Sequence, residues 1–213
     1  MKNKLGFRLI VITDRKLCKE KLLVSIIRQS VRNGVKTVQL REKDLTSNEL
    51  LALARKIKKI RGVKLIINGR LDIVVLSKAY GVHSPENGID VKFVKKLVLT
   101  KVGNYSKLIA GKSVHSFEQA VKAERDGYDY LIFGPVFKTP AKVKYGPPQD
   151  LNKLKKVCES VDIPVYAVGG ITPQRARKCL NAGAYGIAVI RAIMKSKNIA
   201  RTVGEFKTAM GSL

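Results

Sequence analysis

Apolar residues along this chain of 213 residues follow two periods. Short runs rich in β-branched residues, at 7–13, 35–40, 63–67, 81–82, 107–110, 130–133, 165–168 and 186–190, have the length and composition of strands. Between them lie longer stretches in which apolar residues recur every three or four positions, the spacing of one helix face. The clearest are the stretch 47–60, opened by Ser47 with Leu50, Leu51, Ala54 and Ile57 behind it, and the stretch 116–125, opened by the capping hydroxyl of Ser116. Strands separated by helices can pair only through crossovers, so the sheet is expected to be parallel. About eight such units without a linker or low-complexity segment close into a (β/α)8 barrel, one domain over 1–213. The rival is an open doubly wound sheet, which carries a phosphate-binding glycine motif after its first strand; Thr13-Asp14-Arg15 stands there instead.

In a barrel the polar residues just past each strand converge on one mouth. In chain order these are Asp14, Gln39, Arg41, Lys43, Asn68, His83, Ser113, His115, Thr139, Lys142, Gly169, Gly170 and Arg191. The set is cationic, rich in hydrogen-bonding groups and nearly free of carboxylates, which suits a small anionic substrate.

Composition narrows the setting. No apolar run approaches the ~20 residues of a membrane span, and the segment after the basic N-terminus lacks a small-residue cleavage pattern, so a cytoplasmic location and no membrane partner are expected. Cys18, Cys158 and Cys179 are widely spaced, as reduced thiols would be, and form no metal-binding pattern. The 42 Lys and Arg against 16 Asp and Glu give a net charge of +26, a field that attracts polyanions. These cations recur at helical spacing on several separate faces, however, and aromatic residues for base stacking are few, so a nucleic-acid partner is not favoured. A homo-oligomer is left open.

Four segments carry a family resemblance. Gln39-Leu-Arg-Glu-Lys43, Gly111 to Ser116, Phe133-Gly-Pro-Val-Phe-Lys-Thr139 with Lys142, and Ala167-Val-Gly-Gly-Ile-Thr-Pro173 together resemble the thiamin phosphate synthase superfamily of (β/α)8 barrels, in register over nearly the whole chain. The superfamily has two branches. A synthase couples hydroxymethylpyrimidine diphosphate to a thiazole phosphate, and a TenI-type thiazole tautomerase aromatises a carboxylated dihydrothiazole phosphate. The synthase pattern places one Asp directly after the strand-three Asn and another a few residues beyond the strand-four His, where they hold Mg²⁺. Here those positions are Gly69 and Gly88, and a glycine supplies no side-chain oxygen. Asp72 and Glu86 are the nearby carboxylates that could substitute. With Asn68 to Ile73, the Ser-Val-His-Ser run and the helix Glu118-Gln-Ala-Val-Lys-Ala-Glu124, the resemblance favours the tautomerase, an isomerase with no metal and no cofactor. The alternatives are the Mg²⁺-dependent synthase and a non-catalytic, basic, nucleic-acid-binding barrel on the same scaffold.

For an isomerase acting on a thiazole phosphate the resemblance implies His115 as catalytic residue, since an imidazole can take and return a proton near neutrality. The competing reading makes His115 a loop ligand at the start of its helix. His83 is expected to be structural or orienting. Phosphate is assigned to Gly169, Gly170 and the backbone at Ile190 and Arg191, beside the helix start near Thr172; the alternative is that the glycines only make a turn. Arg41 and Lys43 are assigned to the substrate carboxylate, Gln39, Asn68 and Ser113 to orienting contacts, and Thr139 and Lys142 to a loop over the substrate. Any of Gln39, Arg41, Lys43 and Asn68 could instead fill a polar layer of the barrel.

Overall fold

Strands with apolar residues on both faces can be buried only if helices cover one face and other strands the opposite one. The chain satisfies this with a closed parallel barrel. The structure, a computed structural model, describes residues 5–18, 22–99, 108–139 and 148–211. Its elements in order are β1 (Leu9–Ile12), a 3-10 turn (Arg15–Leu17), α1 (Leu23–Arg32), β2 (Thr37–Leu40), α2 (Ser47–Lys58), β3 (Lys64–Asn68), α3 (Leu71–Ser77), β4 (Gly81–Ser84) and α4 (Val91–Leu99). They continue with β5 (Ile109–Val114), α5 (Phe117–Asp126), β6 (Tyr130–Phe133), α6 (Asp150–Ser160), β7 (Val165–Val168), α7 (Pro173–Asn181), β8 (Gly186–Val189), α8 (Arg191–Met194) and α9 (Ile199–Met210). Each strand pairs in parallel with the next, and β8 returns to β1 with Leu9 opposite Ile187 and Val11 opposite Val189. The expected (β/α)8 barrel is the fold. Among the described residues no helix is long and apolar enough to cross a membrane.

Alternation along each strand divides the core in two. Outward residues such as Leu9, Val11, Val38, Leu40, Leu65, Ile67, Leu131 and Phe133 pack against the helices. Inward residues fill the lumen: Phe7, Ile10, Ile12, Ile66, Ile109, Tyr130, Ile132, Tyr166 and Ala188. Large residues there face glycines. A Cβ at Gly111 would stand 2.1 Å from the Tyr130 ring, and one at Gly186 would stand 2.9 Å from that of Tyr166. The Tyr166 hydroxyl donates to the Phe7 carbonyl at 2.7 Å. At the N-terminal end of the barrel, the Lys64 ammonium stands 5.4 Å from the Phe7 ring centroid and 5.0 Å from that of Tyr80, within cation–π range.

Side-chain caps start the helices that carry the mouth loops. α2 begins one residue earlier in its capping than the sequence implies: Thr46, not Ser47, is the N-cap, and it forms a capping box with Glu49. Ser116 accepts from Gln119 N at 3.2 Å and opens α5, and Thr172 caps α7 with Pro173 in its first turn. Three strands run further than their apolar stretches, β3 by one residue to Asn68. β4 includes His83 and Ser84, and β5 continues through Gly111, Lys112 and Ser113 to Val114, because β6 offers partners as far as Phe133 opposite Val114. Ser113 therefore sits within a strand.

Substitutions at two glycines should have opposite effects. Gly111→Ala drives a methyl into the Tyr130 ring and should destabilise the fold by about 1–3 kcal/mol. Gly204→Ala, in α9 with no heavy atom within 4 Å of the added Cβ, should stabilise it by roughly 0.5–1 kcal/mol. Urea unfolding midpoints of the two variants check both signs.

Candidate active site

At the C-terminal end of the barrel the lumen turns polar, and four adjacent strands supply the change. β2 brings Gln39, β3 Asn68, β4 His83 and β5 Ser113; Asn68 and His83 are register partners, while Gln39 and Ser113 are each offset by two positions from the neighbour they meet. Gln39 is buried and its Nε2 donates to Asn68 Oδ1 at 3.0 Å, while its Oε1 is buried with no hydrogen-bond partner among the described residues. A buried acceptor without a donor is costly, so this atom is a natural contact for a bound ligand. His83 lies between Tyr130 and Ser113, with Nδ1 3.2 Å from the Tyr130 hydroxyl and Nε2 2.8 Å from Ser113 Oγ. Burial, then the nearby charges of Lys112 and Arg41, pushes its pKa down to about 3. His83 is thus a neutral imidazole below the mouth, held between Tyr130 and Ser113.

Arg41 and Lys43 follow β2. The Arg41 amide donates to Thr13 Oγ1 at 2.9 Å, which fixes the turn out of the strand. Glu42 between them turns away from the lumen: its buried carboxylate accepts from the Arg15 amide at 3.1 Å, and Arg15 also pairs with Asp44. Asp14 accepts from the Lys16 amide at 3.2 Å and caps the 3-10 turn, so its carboxylate is used locally. Lys43, Asn68, Gly69 and Arg70, together with Leu40, Glu42, Leu45 and Leu50, line a cavity of about 310 Å³.

His115 stands just beyond β5. Its amide donates to Gln119 Oε1 at 2.7 Å, and its Nδ1 contacts the Gly134 carbonyl oxygen. A carbonyl can only accept, so Nδ1 carries the proton and Nε2 is left facing Glu86 Oε2 at 3.8 Å. Gln119 Nε2 donates to the same carboxylate at 2.7 Å. The sequence reading treated Glu86 only as a substitute metal ligand and missed Gln119 and Tyr130. A glutamine inside an amphipathic helix and a tyrosine inside an apolar strand give no signal until the fold brings them to a histidine.

The β7 end is built on glycines. Gly169 and Gly170 have φ of +97° and +66°. Cβ atoms there would lie 2.5 Å from Pro135 Cβ and 2.9 Å from the Lys138 carbonyl oxygen. The segment after β6 is pinned over them, with the Val136 and Phe137 amides donating to the Val168 and Gly169 carbonyls at 2.8 and 3.1 Å. Ile190 packs against the lumen cluster and Arg191 is the exposed first residue of α8. Thr139 is half-buried at the end of a described segment; Lys142, together with Pro140, Gly146 and Pro147, lies outside the described residues.

The positions the synthase pattern gives to metal-binding carboxylates do not fit a divalent ion here. Gly69 has φ +71° and packs beside Pro85, and a Cβ at Gly88 would lie 2.6 Å from Pro85 Cδ and 2.9 Å from Pro85 N and O. Of the two nearby carboxylates, Asp72 is held by Arg70, with Nε to Oδ1 at 2.9 Å, and Glu86 by Gln119. Among the described residues no group of three or more His, Cys, Asp or Glu could hold a metal.

Comparison with known proteins decides the family. The family model described as thiamine monophosphate synthase matches residues 9–193. The chain belongs to the thiamine monophosphate synthase family. It is 37% identical over 187 residues to a thiamine-phosphate synthase of Roseiflexus castenholzii, covering 86% of this chain and 79% of that one. It is 37% identical over 204 residues to the thiamine-phosphate synthase of Clostridium acetobutylicum, covering 93% and 92%. A solved thiamine phosphate pyrophosphorylase from Pyrococcus furiosus superposes with a TM-score of 0.83 at 31% identity, covering 96% of each chain. These findings overturn the tautomerase expectation. The relatives carry synthase names across nearly the whole chain, whereas the isomerase reading rested on two loop glycines and short runs around Asn68 and His115.

Burial of His83 gives a pH prediction. In the unfolded chain its imidazole takes up a proton below its ordinary pKa of 6.5, but in the fold it does so only near 3. The stability it contributes is complete above about 6.5 and falls as the pH is lowered, with a slope of at most about 1.4 kcal/mol per pH unit. The His83 ring resonances should not shift between pH 8 and 5 in NMR titration, and His83→Asn should flatten the acid limb of stability.

Proposed function

We propose that this chain is a transferase that couples hydroxymethylpyrimidine diphosphate to a thiazole phosphate, forming thiamin phosphate and releasing diphosphate. The observation that carries this reading is the match to thiamine-phosphate synthases over most of both chains. The mouth suits it: cations and hydrogen-bond donors ring a floor holding one orphaned acceptor, Gln39 Oε1.

In this reaction the thiazole nitrogen forms a bond to the pyrimidine methylene carbon as that carbon's bond to the diphosphate oxygen breaks. Charge develops on the leaving diphosphate, so the protein's task is to hold both substrates in line and stabilise that charge. Arg41 and Lys43 are assigned to the diphosphate. Gln39 and Asn68 orient the pyrimidine end from below, and Ser113 is assigned to a diphosphate oxygen. Gly169, Gly170, Ile190 and Arg191 receive the thiazole phosphate, where close-approaching backbone and the start of α7 favour an anion. Thr139 and Lys142 belong to the loop over the diphosphate. Coupling moves no proton between substrate carbons, so His115 enters as a substrate contact through Nε2.

We read the described residues as lacking a divalent site of their own, because glycines stand at 69 and 88 and Asp72 and Glu86 are already engaged. The charge of the leaving group then falls to guanidinium and ammonium groups. The ligand-free protein should therefore not bind Mn²⁺ measurably below millimolar concentration, as read by electron paramagnetic resonance; a tightly held ion would contradict this.

Incubation with the two phosphorylated substrates should yield thiamin phosphate and diphosphate in equal amounts by mass spectrometry and phosphate analysis. Their absence, with and without added Mg²⁺, would overturn the coupling reading. Arg41→Ala should raise KM for the diphosphate substrate by roughly 10- to 100-fold, the worth of a hydrogen bond to a charged group.

A further inference from the structure

One buried polar group of the lumen is not itself used by the proposed chemistry. Tyr130 is fully buried in the lumen, and its hydroxyl meets His83 Nδ1. The two residues stand on β6 and β4, and the strand position between them in register is Gly111, opposite both His83 and Tyr130. With no side chain at Gly111, the rings approach to 5.7 Å between centroids across β5. Any Cβ there would collide with the phenol.

The direction of this hydrogen bond follows from the surroundings. Among the described residues, the bond to His83 is the hydroxyl's one side-chain partner, and the hydroxyl does not count among the buried polar atoms left without one. If it accepted from Nδ1–H, its own hydrogen would be buried without an acceptor, whereas an oxygen lone pair left idle costs far less. The hydroxyl therefore donates, and Nδ1 accepts. A neutral imidazole that accepts at Nδ1 carries its proton on Nε2, and Nε2 faces Ser113 Oγ at 2.8 Å. Ser113 is then an acceptor from below, and its own hydrogen is free to point into the mouth.

We propose that Tyr130, acting through His83, is a positioning residue that fixes Ser113 as a hydrogen-bond donor to an anionic oxygen of the substrate. The chain of donors runs one way, from phenol to imidazole to serine to ligand. It differs from an imidazole that draws the serine proton toward itself: here the serine is held as a donor, which suits binding of a phosphate oxygen and not nucleophilic attack. The identity of the ligand rests on the coupling reading, but the direction of the chain does not.

Two measurements test it. In ¹⁵N-labelled ligand-free protein at pH 7, with His115→Asn used to assign the signals, the His83 ring should be neutral with its proton on Nε2. A proton on Nδ1 would sink the proposal whatever the enzyme does. Calorimetric titration with inorganic diphosphate should show Ser113→Ala weakening binding about 10-fold, and Tyr130→Phe weakening it by a comparable factor. The double variant should be no weaker than Ser113→Ala alone, since both changes remove one interaction. Tyr130→Phe that folds with wild-type diphosphate affinity, while Ser113→Ala loses it, would show that the phenol does not set the donor. A wild-type protein that binds no diphosphate would count against the coupling reading, and the imidazole spectrum would still decide the direction of the chain.

Discussion

A closed sheet of eight strands has to fill its own lumen, and in this chain the filling is done by matching aromatic rings to glycines on neighbouring strands. Gly111 gives up its side chain to Tyr130, and Gly186 gives up its own to Tyr166. The matching sets more than packing density. Because Tyr130 crosses above Gly111, its hydroxyl arrives at the level where the lumen changes from isoleucines to Gln39, Asn68, His83 and Ser113. The polar floor of the mouth is thus supported from beneath by a phenol fixed in hydrocarbon, and its geometry is as rigid as the barrel core.

Most of the strand framework was legible because parallel strands buried on both faces leave unbroken apolar runs, as at 130–133 and 165–168. The exceptions lie at the mouth. Gly111, Lys112 and Ser113 look like an exit from a strand, yet they continue β5, because inward positions near the opening are polar and the outward Lys112 reaches the Glu86 carbonyl at 2.6 Å. Hydrophobic pattern cannot mark a strand whose inward face is built for a ligand. The same holds for the α2 cap, where Thr46 and Ser47 are adjacent hydroxyl residues and only the backbone shows which one caps.

The site was legible as a set of strand-end residues but not as a network. Gln39 with Asn68 and His83 with Ser113 are pairs separated by 29 and 30 residues, and the side-by-side placing of adjacent strands brings them together two positions off register. The choice between the two chemistries of the family was misread for a related reason. Two glycines in loops weighed heavily as missing ligands, while similarity spread over 86–93% of the chain belongs to proteins named as synthases. A barrel keeps its scaffold while its loops vary, so loop residues speak to how charge is handled at the mouth more than to which reaction is run.

Pro85 sets a limit on what those two loops can hold that the chemistry alone does not suggest. A single nucleotide change turns a glycine codon into an aspartate codon, so carboxylates at 69 and 88 are genetically close. Sterically they are remote. The ring and backbone of Pro85 occupy the space a side chain at 88 would need, and the left-handed backbone at 69 disfavours one there. Regaining both groups requires the β4–α4 loop to be rebuilt first, and until then an aspartate at either position lowers stability with no ligand pair in return.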